Sequence, residues 1–398
     1  MLGRLRIHFK SAAGTVPGPL PWRLPGAKLS PSSQRGKYAT VIILTNEDVE
    51  PLLDMQTCIA AIEAAFRDLG NEDAVDIPRQ DAVVPSATRE AAIYGLKTMS
   101  GSWPGAGIAA VRLNSDIITC PVMNGDARRV KVPISKPGGR YNGSVLLFST
   151  ETGQLLCMVN DGMMQKTRVG ATSGVAAKYL MRPDAKILAL LGTGLQASGQ
   201  LEAMSTVQRF DEIRVFSPTA VNRSNFVEHF RVKLQVNIRA VATPEEAVDG
   251  ADVLVTATNS LQPIVKPEWL KPGMHLSTVN RTELPPAVFA KIDRLILNAR
   301  LGGQDYIARG CPDVRGLVQN DSHSKKDVVS LDAVPELKDL ASGKVQGRQS
   351  AEEITCFHNF QGLGLQFAAL GSIVYREAVK RKIGLALDDA LFTQTIHP

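Results

Sequence analysis

The stretch Lys186-Ile-Leu-Ala-Leu-Leu-Gly-Thr-Gly-Leu-Gln-Ala-Ser198 decides the fold. Ile187 to Leu191 form an apolar run of strand length, suited to burial on both faces. The run stops at Gly192, Gly194 and Ala197 follow, and helical character begins, which is the G-x-G-x-x-A form of the dinucleotide fingerprint. Gly192 permits the tight turn, Gly194 lets the backbone approach a pyrophosphate with no Cβ between, and Ala197 lets the helix close on its strand. The free N–H groups of the first helical turn then face the phosphates. Thr193, Leu195 and Gln196 belong to the same expected cofactor turn.

Downstream the pattern alternates. Residues 213–216, 236–241, 251–256, 275–279 and 294–297 read as strands, with helical connections between the earlier ones. Thr243-Pro-Glu-Glu246 supplies an N-cap, a proline at the first helical position and a glutamate at the third, so a helix precedes Gly250. Strands alternating with helices imply a doubly wound parallel sheet, and residues 183–320 are expected to form an α/β Rossmann domain. Its strand ends at Thr256, Ala257, Thr258 and Val279 complete the expected cofactor set. An NAD site carries an acid near the end of the second strand for the ribose 2′-hydroxyl. Here that position reads Phe216-Ser-Pro-Thr-Ala-Val-Asn-Arg223, without an acid. Ser217, Thr219 and Arg223 suit a 2′-phosphate, so NADP(H) is expected ahead of NAD(H).

Upstream, residues 40–182 read differently. A strand at Thr40–Leu44 leads into Thr45-Asn-Glu-Asp48, a capping box, and Ile59, Ile62, Phe66 and Leu69 mark one face of a helix. Extended stretches at 77–80, 93–99, 107–113, 143–148 and 155–159, separated by Gly and Pro, predict a mainly antiparallel sheet. Arg79, Lys97 and Arg112 stand on or beside those strands and look like a carboxylate-binding set, since the guanidinium fork matches a carboxylate. The stretch Met163–Leu180, rich in small residues, predicts a tightly packed helix. Arg168 near its start calls for an anionic partner, a ligand or a structural acid, because the macrodipole disfavours a cation there. Residues 321–398 end in an apolar helix after Gly362 and Gly364, which is expected to dock on the first sheet and make that domain discontinuous.

Bulk properties exclude several classes. The net charge is +6, but residues 1–46 hold seven Lys or Arg and no acid, leaving about −1 for the rest, so a nucleic-acid surface is not expected. Residues 1–39, rich in Pro and poor in acid, read as a flexible leader, with a mitochondrial transit peptide as the alternative to a cytoplasmic protein. No run is long and apolar enough to span a membrane. The five cysteines lack C-x-x-C spacing and the six histidines lack ligand spacing, so no metal is expected. His275 is expected to be a satisfied core residue, His358 is a candidate for approaching the cofactor, and Cys311 and Cys356 are expected to be inert.

Arg168-Val-Gly-Ala-Thr-Ser173, Leu191-Gly-Thr-Gly-Leu-Gln-Ala197, Glu246-Ala-Val-Asp-Gly-Ala-Asp252, Lys271-Pro-Gly-Met-His275 and the Gly-rich C-terminal helix resemble the ornithine cyclodeaminase/mu-crystallin family over residues 40–398. The resemblance implies a Rossmann domain paired with an α+β substrate and dimerisation domain built from both chain ends, and a homodimer. It implies an oxidoreductase working on an imine, ketimine or 2-oxo acid plus amine beside a carboxylate. The other implied roles are a nucleotide-charged binding protein of the mu-crystallin kind and a cyclodeaminase. Arg79 and Arg168 match the family's carboxylate arginines, and the family's substrate lysine falls on Arg112 or on Lys97, the latter also a candidate proton donor if burial depresses its ammonium. Cyclodeaminases carry an Asp in the loop after the strand at His275, whereas this chain has Asn280-Arg-Thr-Glu-Leu284, which argues against that activity.

Overall fold

The computed structural model describes residues 40–87, 89–119, 121–123, 126–127, 130–132, 139–260, 262–300, 304–311 and 331–396. The expected leader lies outside them. The chain opens with β1 (Thr40–Leu44), the short α1 (Asn46–Val49) and α2 (Met55–Gly70). Thr45 and Asp48 close the expected capping box, and Asp54 caps α2 through the Thr57 N–H. Strands β2 (Val75–Pro85), β3 (Ile93–Trp103) and β4 (Ile108–Thr119) follow, then the short β5 (Val122–Met123), β6 (Asp126–Ala127) and β7 (Val130–Lys131), then β8 (Asn142–Ser149), β9 (Leu155–Asn160) and α3 (Asp161–Leu180).

The second half begins with β10 (Ile187–Leu191), α4 (Leu195–Val207), β11 (Glu212–Phe216), α5 (Ala220–Leu234), β12 (Ile238–Ala240), α6 (Pro244–Val248) and β13 (Val253–Thr256). It continues with β14 (His275–Thr278), α7 (Pro286–Phe289), β15 (Arg294–Leu297), β16 (Gln304–Ile307), α8 (Leu337–Ala341), β17 (Thr355–His358), α9 (Gly364–Arg381) and β18 (Leu385–Asp388).

Two large sheets result among the described residues. One runs β16-β2-β3-β4-β8-β9-β1-β18, with β7 also on β4, and is antiparallel except at β16–β2 and β1–β9. The other, β12-β11-β10-β13-β14-β17-β15, is parallel throughout and is the expected doubly wound sheet. The expected domain boundary at 320/321 needs correction. Gln304–Ile307 already belongs to the antiparallel sheet, and Thr355–His358 returns to the parallel one, between β14 and β15. Both strands lie outside the regular strand–helix alternation, and their place in a sheet is set by pairing distant in sequence. The polar stretch Ser322–Lys344, whose sequence suits loops with short helical pieces, falls partly outside the described residues; the rest carries the five-residue α8.

The antiparallel sheet buries one face against α3 and α9. Along β4 every second residue is buried, including Ile108, Ala110, Arg112, Asn114, Asp116 and Ile118. Close approach is set by small residues: a Cβ on Gly371 of α9 would lie 2.4 Å from Leu147 Cδ2, and one on Gly101 of β3 would lie 2.3 Å from Leu365 N. Thus α9 docks on the first sheet, as its apolar face requires. In the parallel sheet His275 is fully buried, with Nδ1 2.9 Å from Thr355 Oγ1, and burial together with Arg348 pushes its imidazole down to about 3. It is a core residue, as expected, but only Nδ1 is satisfied: Nε2 is buried without a hydrogen-bond partner among the described residues. No helix among the described residues is long and apolar enough to cross a membrane.

Candidate functional site

The glycine turn sits at the carboxyl edge of the parallel sheet, where open α/β sheets bind ligands. Gly192 has φ +123°, and a Cβ there would lie 2.3 Å from the Ala257 carbonyl oxygen, so neither the backbone angle nor the space admits another residue. Gly194 is the N-cap of α4, and a Cβ there would meet nothing within 4 Å. Ala197 is fully buried against the sheet, whereas Leu195 is exposed and Thr193 and Gln196 are half-buried. A cleft of about 380 Å³ opens beside the turn, lined by Thr193, Gly194, Asn222 and Phe226, and by Lys166 of α3. At the end of β11, Arg223 donates to the Ser217 carbonyl at 2.5 Å and lies 5.6 Å from the centre of the Phe216 ring. Ser217 is buried, and Thr219 is the exposed N-cap of α5.

The strand ends at Thr256 and Thr258 differ from expectation. Both hydroxyls donate to the fully buried Glu283, at 2.7 and 2.8 Å, and the Thr258 and Asn280 N–H groups donate to the same carboxylate at 2.7 and 3.1 Å. Their side chains are therefore committed to joining two loops rather than offered to a ligand. Burial pushes the Glu283 carboxyl up, against the four hydrogen bonds that favour its charge. Ala257 rests on the Gly192 turn, and the Val279 N–H donates to the Thr256 carbonyl at 3.2 Å. The role of Glu283 is not legible in the sequence, because Thr256 and Thr258 reach it from the end of the neighbouring strand β13. His358 is buried in β17 with Nδ1 2.6 Å from Thr278 Oγ1, so it braces the sheet.

The expected cations do converge on the buried face of the antiparallel sheet, but with acids the sequence did not single out. Arg79 pairs with Asp81, its neighbour two residues along β2. Arg112 meets Asp161 at the first turn of α3 at 2.7 Å. Lys97 Nζ lies 2.5 Å from Asp116 Oδ1, and Lys131 Nζ lies 3.0 Å from Oδ2 of the same carboxylate. Although burial opposes it, the two ammoniums hold Asp116 below the usual carboxylate range. Lys97 is thus buried against a carboxylate that it shares with Lys131. Lys131 stands 3.7 Å from the centre of the Tyr141 ring, and the Tyr141 hydroxyl bonds Asp161; burial first, then that carboxylate, pushes the phenol up.

Arg168 lies in the third turn of α3, not at its start, because the helix begins at Asp161. The macrodipole argument therefore does not apply to it. Its Nη1 donates to Gln366 Oε1 at 2.8 Å and its Nε to Gln165 Oε1 at 3.3 Å, and among the described residues no acid forms a salt bridge with it. Arg112 and Arg168 lie 5.5 and 5.6 Å from the centre of the Phe367 ring, so one aromatic side chain holds both guanidiniums. Burial, then the charges of Arg112 and Arg79, pull the Arg168 guanidinium down from its ordinary range. Of the three guanidiniums, Arg168 is thus the one that no acid pairs directly among the described residues, although the Asp161 carboxylate still favours its charged form.

Helix α3 couples this cluster to the glycine turn. A Cβ on Gly170 would lie 2.2 Å from the Gly199 carbonyl oxygen, so α3 and α4 touch backbone to backbone. Gln200 of α4 and Asn359 after β17 both donate to the Val169 carbonyl, at 3.1 and 3.0 Å. Arg168 is fixed to the helix that opens at Gly194. No group of three His, Cys, Asp or Glu among the described residues is placed to hold a metal. Cys58, Cys157 and Cys356 are buried, with thiols pushed up by burial.

Comparison with known proteins agrees with this architecture. The model of the ornithine cyclodeaminase/mu-crystallin family matches residues 139–382. A Delta(1)-pyrroline-2-carboxylate reductase of Bacillus cereus is 30% identical over 260 residues, covering 64% of this chain and 77% of that protein. An alanine dehydrogenase of Archaeoglobus fulgidus is 28% identical over 359 residues, covering 86% of this chain and 97% of its own. Among solved structures, Thermococcus litoralis Delta(1)-pyrroline-2-carboxylate reductase in complex with NADH and L-proline superposes with a TM-score of 0.70 at 24% identity, over 87% of this chain and all of the other.

Proposed function

The chain belongs to the ornithine cyclodeaminase/mu-crystallin family, and from that premise we propose that it is an NADP(H)-dependent oxidoreductase. Its substrate is an imine or ketimine, or the imine formed from a 2-oxo acid and an amine, carrying a carboxylate beside the C=N bond. Arg168 carries this reading: a buried cation without an acid of its own, on a helix locked to the helix of the nucleotide turn. An anion that belongs there comes with the ligand. Reductases and dehydrogenases among the relatives, with pyrroline-2-carboxylate and alanine in their names, support the carboxylate.

The residues present fit the nucleotide. Open space at Gly194 and the free N–H groups of the first α4 turn suit a pyrophosphate, and Arg223 with Ser217 and Thr219 suits a 2′-phosphate. The bound nicotinamide supplies the hydride chemistry. The protein binds and orients: Arg168, with Arg112 and Arg79 beside it, fixes the carboxylate, and so the direction from which the C=N carbon is approached. Lys97, held by Asp116, completes the polar floor on β3 and β4. A cyclodeaminase reading gains nothing, because the acid of the 280–284 segment is turned inward onto Thr256 and Thr258.

The experiment is NADPH oxidation with cyclic imines, Delta(1)-pyrroline-2-carboxylate first, and with 2-oxo acid and amine pairs. Turnover is expected. Nucleotide binding without turnover of any of them would replace the proposal with a binding protein, and ammonia release from a basic amino acid with a lyase. Arg223→Ser is expected to lower kcat/KM for NADPH by about 30-fold, losing a charge-assisted contact, with NADH little changed. Equal specificity constants for the two nucleotides in the unaltered protein would remove the NADP(H) assignment.

We also infer a homodimer. Alternation places Val84, Leu96, Val111, Leu113, Leu146 and Phe148 on the face of the antiparallel sheet opposite the core, and none of them is buried. An unburied apolar cluster of this kind, with Val111 paired to Leu146 and Ala109 to Phe148, suits an interface. Light scattering should give the mass of two chains, and Leu113→Glu should give one; a monomeric unaltered protein at micromolar concentration contradicts the inference.

A further inference from the structure

We propose that Gln366 is a positioning residue whose neutrality is its function: it fixes the Arg168 guanidinium with an uncharged acceptor and leaves the charge for the ligand's carboxylate. The inference rests on the carboxylate reading of the site. Gln366 is fully buried at the start of α9. Its Oε1 accepts from Arg168 Nη1 at 2.8 Å and from the Leu363 N–H at 3.0 Å. Its Nε2 donates to Thr172 Oγ1 at 2.8 Å and reaches Asn298 Oδ1 at 3.5 Å.

The network allows only one orientation of this amide. Arg168 and the Leu363 N–H are donors only, so they require the oxygen. Thr172 gives its own proton to the Arg168 carbonyl at 2.7 Å and therefore accepts from the nitrogen. Each polar atom of the side chain is used, and the guanidinium is held at Nη1 while Nη2 has no acceptor among the described residues. Asn298 follows the end of β15 and donates to the Gln361 carbonyl, so the holder is tied to the parallel sheet as well as to α9. A backbone approach closes the other side: a Cβ on Gly362 would lie 2.7 Å from Arg168 Nη1.

A glutamate has almost the same shape as glutamine and would meet Arg168 with a full charge. That pair would satisfy the guanidinium internally and compete with the ligand. Neutral Gln366 gives geometry without competition. The same logic assigns Asp81 and Asp161 a different part, since they already neutralise Arg79 and Arg112.

Gln366→Glu separates this role from simple packing. With Delta(1)-pyrroline-2-carboxylate its KM is expected to rise about 100-fold at pH 8, with the Kd for NADPH unchanged, and the penalty should shrink as acid converts the new carboxyl to a neutral acceptor. Gln366→Met keeps the volume, removes the acceptor, and should lose activity without that pH dependence. A second readout needs no ligand. If Arg168 is uncompensated, the new carboxyl is held below its unfolded value by the cation, so the stability of Gln366→Glu relative to the unaltered protein rises with pH up to about 5 and is level above it. Were the site already neutral, burial would hold that carboxyl up, and the difference would fall with pH from about 4 upward. A falling difference, an unchanged KM or a pH-independent loss in Gln366→Glu overturns the proposal. Should the unaltered protein reduce none of the imines, the functional reading fails alone, and the sign of the stability difference still decides the part played by Gln366.

Discussion

Arg168→Met should lower kcat/KM for the imine substrate by about 10²–10³-fold, the effect of removing one partner of a buried carboxylate–guanidinium contact, while leaving the melting temperature unchanged or slightly raised. The two expectations come from one fact. Arg168 is buried without an acid and beside two further guanidiniums, so its charge costs the folded protein free energy in the absence of ligand. Methionine fills a similar path against Phe367 and carries no charge. A cation kept for structure would behave in the opposite way, since its removal would leave a buried acid stranded. Steady-state kinetics with thermal denaturation, in parallel, distinguish the two: a destabilised variant with normal kcat/KM would return Arg168 to the fold and leave the carboxylate without its anchor. Arg112→Met provides the contrast, because it strands Asp161 and should cost both activity and stability.

That contrast also shows where the sequence was informative. Local signals read well: the capping box at Thr45, the N-cap at Thr243, the glycine turn, and the small residues of Met163–Leu180 that let α3 touch α4. These depend on residues near one another in the chain, and the chemistry of each is carried by its own side chain. The cations could be singled out too, because a cation on a buried strand or helix face is unusual wherever its partner lies. The acids that hold them did not. Asp161 is 49 residues from Arg112 and Asp116 is 19 from Lys97, and an acid at such distances looks like any surface charge until the sheet brings the two together. Gln366 and Glu283 were invisible for the same reason: each is defined by what it bonds across elements. The strands β16 and β17 went unread because they fall outside the strand–helix alternation, and their place in a sheet is set by long-range pairing. Thr256 and Thr258 are the converse. Their position at a strand end was legible, but their hydroxyls are taken by Glu283, which no local pattern announces.

Gly194→Val should leave the protein folded and reduce NADPH affinity by about 100-fold or more, close to 3 kcal/mol. The two glycines of the turn separate cleanly in physical terms. Gly192 has φ +123° with the Ala257 carbonyl oxygen in the place of a Cβ, so the fold itself demands it, and Gly192→Ala should unfold or strain the turn. Gly194 has φ −86° and ψ −177°, extended backbone that any residue adopts, and nothing lies within 4 Å of where its Cβ would be. Nothing in the folded chain therefore requires glycine at 194. Loss of a tolerable N-cap costs the α4 terminus no more than about 1 kcal/mol, and a valine side chain would project into the open space beside the first-turn N–H groups. If that space is where the pyrophosphate lies, the valine excludes it. Fluorescence titration with NADPH, alongside thermal denaturation without it, reads both halves. Undiminished nucleotide affinity in a folded Gly194→Val protein would mean that the turn does not cradle phosphate. In that event the reading of Arg168 as the carboxylate anchor for hydride transfer would lose its cofactor, while the cation cluster itself would remain a site for an anion.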